Sequence, residues 1–293
     1  MSDVYFISEV SSNHSSSIQR CKEFIRTSKE IGCSAVKFQL FKLDELFSIE
    51  ARRANPEFEH RRKWELPVSF LPELKRSCVE NEIDFSCTPF YIDAVAELEP
   101  YVDFYKVASY ELLWLDLLAE VAKTGKKVII SSGMANLEEI DNAINHLRKN
   151  GCNEIELLHC VSEYPATLAS CNLSAIKTLR DRYKLKIGWS DHSMNPVVID
   201  RAISKWDASI IEFHIDLDGD GEEYQSGHCW LPHEIEDLIS SKEIKLNNNS
   251  MLIREIDGDG IKKPAQCELF ERSWRADPSD GLRPLLETRK KLA

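Results

Sequence analysis

The residues best suited to chemistry in this chain are two histidines that close consecutive apolar runs. One ends Lys186-Ile187-Gly188-Trp189-Ser190-Asp191-His192, and the other ends Ser209-Ile210-Ile211-Glu212-Phe213-His214. Two imidazoles at the ends of neighbouring strands can hold one metal ion and leave open positions on it. Two lysines stand inside other apolar runs: Lys37 in Val36-Lys37-Phe38-Gln39 and Lys106 in Tyr105-Lys106-Val107. A lysine in a core strand is costly unless it meets an opposite charge. Two lysines at one rim, with hydroxyls around them, make a cradle for phosphate and carboxylate.

Such residues need strands to carry them, and the chain supplies eight. Apolar, β-branched runs are expected at 4–10, 35–39, 83–88, 101–108, 127–132 and 155–160, followed by the two histidine strands. Between them lie stretches with apolar residues at helical spacing, such as 16–31, 137–147 and 173–183. An eightfold βα repeat implies a parallel sheet. No Gly-rich dinucleotide fingerprint follows the first strand, which removes the main support for an open doubly wound sheet. The expected fold is a (β/α)8 TIM barrel, 1–245, with a short C-terminal helix and coil extension, 246–293. In such barrels chemistry collects at the carboxyl ends of the strands.

Polar residues gather at those ends. Glu9 closes the first strand, and Lys37 and Gln39 share one face of the second. Thr88 ends the third. Lys106 and Ser109 end the fourth, with Glu111 just beyond. Ser131 ends the fifth, His159, Ser162 and Tyr164 the sixth, and Ser190 and His192 the seventh; His214 ends the eighth. The connection from Phe41 to Leu66, with Arg52-Arg53 and Arg61-Arg62-Lys63, is long and charged, which marks it as functional.

The 293 residues, 43% hydrophobic, suffice for one large core. Nine scattered cysteines without a CxxC pair argue for a reducing, cytoplasmic setting and small buried thiols. No apolar run approaches the roughly 20 residues of a membrane span, and Met1-Ser2-Asp3-Val4-Tyr5 is expected to lead straight into a strand without a signal peptide. No basic stripe points to nucleic acid. At a net charge of −12, an anion site needs its own local cations.

Eight ordered motifs resemble the N-acetylneuraminate (sialic acid) synthase family. They are Ile7-Ser8-Glu9-Val10 through Asn13-His14, Val36-Lys37-Phe38-Gln39, Cys87-Thr88-Pro89-Phe90, Tyr105-Lys106-Val107-Ala108-Ser109, Ser131-Ser132-Gly133-Met134, Leu158-His159-Cys160-Val161-Ser162-Glu163-Tyr164-Pro165, Gly188-Trp189-Ser190-Asp191-His192 and Ile211-Glu212-Phe213-His214. Gly258-Asp259-Gly260-Ile261-Lys262-Lys263-Pro264 resembles the end of the family's barrel. The resemblance implies condensation of phosphoenolpyruvate with an amino-sugar aldehyde, giving a 2-keto-3-deoxy sugar acid and phosphate, with a divalent metal such as manganese. It implies His192 and His214 as metal ligands. Phosphoenolpyruvate would fall to Lys37, Thr88, Lys106, Ser109, Ser131 and Ser190, and Ser162 is counted with this substrate-binding set. Gln39, Glu111 and Tyr164 would face the sugar, and Glu9 would lie near the reacting centre. A homodimer is compatible with it. A legionaminic, pseudaminic or shorter ulosonic acid is the alternative product, and a non-catalytic sugar- or phosphate-binding barrel is the alternative of another class.

The chain departs from the family in three places. Phe213 stands where many members have lysine. Gln225 falls at an aspartate near the family's metal, leaving Asp218, Glu222 and His228 as candidate replacements. The resemblance also leads us to expect a member without the antifreeze-like C-terminal domain, whose arginine reaches the partner's sugar site. In its stead the Trp274–Pro284 segment is expected to fold over a barrel mouth, its own or a partner's, with Arg275 or Arg283 on the sugar.

Overall fold

The computed structural model describes residues 4–240 and 250–292; the expected boundary at 245/246 lies outside them. Eight parallel strands close into a barrel: β1 (Tyr5–Glu9), β2 (Ala35–Leu40), β3 (Asp84–Pro89), β4 (Phe104–Val107), β5 (Val128–Ser131), β6 (Ile155–Cys160), β7 (Ile187–Asp191) and β8 (Ile210–Ile215). They pair in sequence order, and β8 returns to β1. The fold is the expected (β/α)8 TIM barrel. Its strands are buried on both faces, which is why they read as unbroken apolar runs rather than alternating ones. The helices read the other way. Leu137–Lys149 buries Ile140, Ala143, Ile144 and Leu147, one stripe at 3–4 spacing, and starts with a reciprocal Asn136/Glu139 capping box.

Ile7, Ala35, Phe104, Ile129, Leu158 and Ile210 form a separate apolar plug from six of the strands. Polar residues follow on the same strands in the carboxyl direction, so the barrel is sealed at one end and charged at the other. Gly188 belongs to this packing: a Cβ there would lie 2.4 Å from the Ile210 carbonyl. All nine cysteines are free and eight are buried. Among the described residues no helix is long and apolar enough to cross a membrane.

Two features lie outside the expected pattern. A ninth strand, β9 (Cys229–Trp230), extends the sheet parallel to β8. The tail also carries a helix, Leu286–Leu292, that was not singled out within the expected helix and coil extension. The tail folds on its own barrel. Ser174 N–H donates to the Asp257 carbonyl at 3.0 Å. Further on, Arg283 N–H donates to the Leu46 carbonyl and Ser48 N–H to the Arg283 carbonyl, each at 2.9 Å. This stitches the tail to the β2–β3 connection above the mouth.

Glu268 is the tail's anchor. Its buried carboxylate accepts from Met134 N–H and Ser162 N–H, both at 2.7 Å, and from Ala265 N–H at 2.8 Å. It thereby ties the ends of β5 and β6 together. Glu268→Ala leaves these donors without their acceptor, at about 1–3 kcal/mol for each that stays buried. We expect a loss of about 3 kcal/mol or more in urea unfolding; an unchanged midpoint would contradict this anchoring role.

Candidate active site

Strand register brings the charges together. Glu9 sits level with Lys37 on one side and His214 on the other, and Ser190 sits level with Glu212. Lys37 forms an ion pair with Glu9, and its Nζ lies 3.7 Å from Glu212. Lys106 Nζ is 3.2 Å from the other Glu212 oxygen, which also accepts from Ser190 Oγ at 2.9 Å. Two lysines and two carboxylates thus form one buried cluster. Burial pushes the Lys37 ammonium below the ordinary lysine range, against the pull of Glu212. Burial pushes the Glu212 carboxyl up, but Lys106, Lys37 and Ser190 outweigh it and hold the group below the usual carboxylate range.

Around this cluster opens a cavity of about 480 Å³ at the carboxyl ends of the strands. Glu9, Lys37, Gln39, Lys106, Ser109, Ser131, Tyr164, Ser190, His192, His214 and Arg283 of the expected set line it. Gln39 donates to Glu9 at 3.2 Å and to Ser11 at 3.1 Å. Thr88 lies behind Lys37 and accepts from it at 3.3 Å. Ser131 Oγ and Ser162 Oγ are buried without a hydrogen-bond partner. Gly133 passes between Ser109 and Ser162 so closely that a Cβ would stand 2.3 Å from Ser162 Oγ. Backbone and hydroxyls therefore crowd one side of the lysines.

The imidazoles are fixed in one tautomer. His192 Nδ1 lies 2.7 Å from the Val161 carbonyl, an acceptor only, so Nδ1 carries the proton. His214 Nδ1 lies 3.0 Å from Glu223 Oε2. Among the described residues neither Nε2 has a hydrogen-bond partner. The rings are 5.4 Å apart between centroids, and Tyr164 packs against both. Two neutral imidazoles lining one cavity, each held from behind by an acceptor with Nε2 unpaired, could offer ligands to a divalent cation.

Glu223, rather than Asp218 or Glu222, meets the histidines. Its carboxylate accepts from Ser12 Oγ at 2.9 Å and from Ser11 Oγ, and lies 3.5 Å from His228 Nε2. Asp218 pairs with Arg20 at 2.7 Å, and Glu222 pairs with Lys63 at the surface. The ligand atoms of His214, Glu223, His228 and Cys229 all lie within 4.8 Å of one another.

The tail arginines part ways. Arg283 lines the cavity and is bound to Glu111 through Nε at 3.0 Å and through a terminal nitrogen. Glu111 therefore holds Arg283 and does not itself line the cavity. Arg275, expected as a sugar contact, is turned away: it pairs with Glu139 at 3.0 Å and donates to the Arg272 carbonyl. Both are buried, so neither is a solvent-facing arginine on an outer wall.

A model of the NeuB family matches residues 24–250. The N,N'-diacetyllegionaminic acid synthase of Campylobacter jejuni is 34% identical over 281 residues, covering 92% of this chain and 81% of its own. The N-acetylneuraminate-9-phosphate synthase of Drosophila melanogaster is 28% identical over 275 residues, covering 87% and 73%. The crystal structure of N-acetylneuraminic acid synthetase from Leptospira borgpetersenii, in complex with citrate, matches with a TM-score of 0.75 at 30% identity, covering 92% of this chain and 90% of that one.

The buried histidines give a test that needs no ligand. Burial lowers His14 and His214 to about 4 and His159 to about 3, and lowers His192 as well. They stay neutral in the fold while the unfolded chain takes protons near pH 6.5. Their contribution to stability is therefore fully present above pH 6.5 and is lost as pH falls from there toward 4. Side-chain 15N NMR at pH 7 is expected to show His192 and His214 neutral with the proton on Nδ1. A proton on Nε2 of either ring would contradict the site geometry.

Proposed function

The chain belongs to the NeuB family, and on that premise we propose that it condenses phosphoenolpyruvate with an N-acylated amino-sugar aldehyde, giving a 2-keto-3-deoxy sugar acid and phosphate. The observation that carries this reading is the meeting, on one cavity, of two buried lysines, the unpartnered Ser131 hydroxyl and two imidazoles with free Nε2 atoms.

Lys37 and Lys106 would take the donor's anionic groups, with Ser109, Ser131 and Ser190 as hydroxyl donors. Carbon 3 of phosphoenolpyruvate forms the new bond to the aldehyde carbon, whose oxygen ends as a hydroxyl. A divalent cation on His192 and His214, manganese in our reading, would polarise that aldehyde. The lysines and hydroxyls hold the two reactants in line and stabilise the charge shift electrostatically. Water then adds to carbon 2, and loss of phosphate from the tetrahedral centre leaves the ketone. Glu9 is the group suited to take the water's proton. In the free protein its carboxylate is bound to Lys37; a donor anion that draws Lys37 away leaves Glu9 more basic and free to act. Glu223 has the position of the carboxylate that orients a metal-bound imidazole from behind.

Phosphate release from phosphoenolpyruvate, with Mn2+ and a panel of 2-acetamido aldoses, tests the reaction, and the product's mass identifies the acceptor. Consumption with no aldose at all would overturn the reading. Chelation is expected to abolish turnover and Mn2+ to restore it, and His214→Ala should bind metal poorly. Lys106→Met should raise the Michaelis constant for phosphoenolpyruvate, or lower turnover, roughly ten-fold or more, the equivalent of one charge-assisted hydrogen bond. Unchanged kinetics would place Lys106 outside the site.

A further inference from the structure

Among the described residues, one cation on the cavity wall has no carboxylate within ion-pair distance. Arg61 lies in the 3-10 segment Pro56–Trp64 of the β2–β3 connection and lines the cavity alongside Arg283. Of the connection's other basic residues, Arg52 and Arg62 pair with Asp44 and Glu59, Lys63 pairs with Glu222, and Arg53 does not line the cavity. Among the described residues Arg61 has no carboxylate within ion-pair distance, and its N–H groups donate to nothing. Aromatic rings hold it instead. Its guanidinium carbon lies 5.3 Å from the ring centres of Phe47 and Phe58 and 5.7 Å from that of Trp64. Phe47 and Phe58 stack at 4.3 Å, and Trp274 of the tail packs edge-on against Phe58 at 5.8 Å.

This is a costly place for a charge. Burial pushes Arg61 down and the nearby Arg283 adds repulsion, while Glu223 and Glu271, neither within ion-pair distance, pull the other way. Arg283 avoids the same problem, because Glu111 neutralises it. Aromatic faces attract a guanidinium but leave its in-plane N–H donors unused. Those donors, in a cavity whose other arginine is already paired, suit the planar oxygens of a carboxylate or phosphate. The lysines that would hold phosphoenolpyruvate belong to the strands, whereas Arg61 stands on the connection above them.

We propose that Arg61 is the anchor for an anionic group, phosphate or carboxylate, carried by the acceptor sugar away from its aldehyde. The proposal rests on the condensation reading and narrows its acceptor to a charged sugar.

The test compares a 2-acetamido hexose, its 6-phosphate and the corresponding uronate as acceptors, with phosphoenolpyruvate and Mn2+. At least one anionic acceptor is expected to exceed the neutral one in kcat/KM by about ten-fold or more, the scale of one charge-assisted contact. Which of the two does so identifies the anion. Arg61→Met should erase most of that ratio, and Arg61→Lys should restore part of it. A preference for the neutral sugar, or an equal loss for all three acceptors in Arg61→Met, overturns the proposal. Calorimetric titration of the Mn2+-loaded protein with the same three sugars, without phosphoenolpyruvate, reads the preference independently of turnover. Absence of turnover with every acceptor would sink the condensation reading, while tighter binding of an anionic sugar that is lost in Arg61→Met would still uphold the anion site. Equal binding of all three would end it.

Discussion

Everything at the open end of this barrel depends on the buried cluster of Glu9, Lys37, Glu212 and Lys106. Four charges inside a protein are expensive, because their mutual attraction must offset the loss of water around each. The cluster tolerates this because the strands deliver the charges in register and in alternating sign. Removing any one leaves a buried charge short of a partner, which is far costlier than never having had the pair. The cluster is therefore a weak source of stability but a strict specification of geometry. It sets which residues of β1, β2, β4 and β8 must face inward, and through β8 it sets where His214 points.

The remaining parts hold that arrangement and close it. Below it, the Ile7–Phe104–Leu158 plug excludes water from the other end of the barrel. Above it, the walls come from outside the βα repeat. The β2–β3 connection brings Arg61, Trp64 and Leu46, and the tail brings Arg283. The two are joined by backbone hydrogen bonds at Leu46 and Ser48, so neither wall is set independently of the other. Glu268 anchors the same tail beneath the ends of β5 and β6, one residue from Gly133, whose N–H donates to the cavity-lining Ser109 hydroxyl.

Most of the barrel was legible because its strands are buried on both faces and read as apolar runs. The ends of those runs announced Lys37, Lys106, His192 and His214. The costly lysines proved the better signal, since a lysine in a core strand demands a partner. That same demand could have revealed Glu212. It lies two residues before His214 on the same strand and so on the same face, a parity argument available from sequence alone. Glu223, Arg61 and β9 were not legible in this way. Glu223 reaches His214 through an acidic, Gly-rich turn whose periodicity says nothing about direction, and Asp218 and Glu222 looked equally suitable. Arg61 stands among four other basic residues, and only its place on the cavity wall and its lack of an ion pair, both three-dimensional facts, separate it from them. The tail's contact with its own mouth depends on Arg283 meeting Glu111, 172 residues away in sequence.

The charge balance of the cavity argues for what it is built to receive. Lys37 and Lys106 answer Glu9 and Glu212, Arg283 answers Glu111, and Lys63 answers Glu222. Two groups are left over. Among the described residues, Glu223 faces imidazoles and hydroxyls but no lysine or arginine within ion-pair distance, and Arg61 faces aromatic rings. They form two poles on one cavity, negative beside His214 and positive on the β2–β3 connection, which attract each other only from beyond ion-pair distance. A divalent cation beside the first and an anionic substituent at the second would complete both. A bound acceptor lying between them would be oriented by its own charge before any bond is made, as preorganised electrostatics requires.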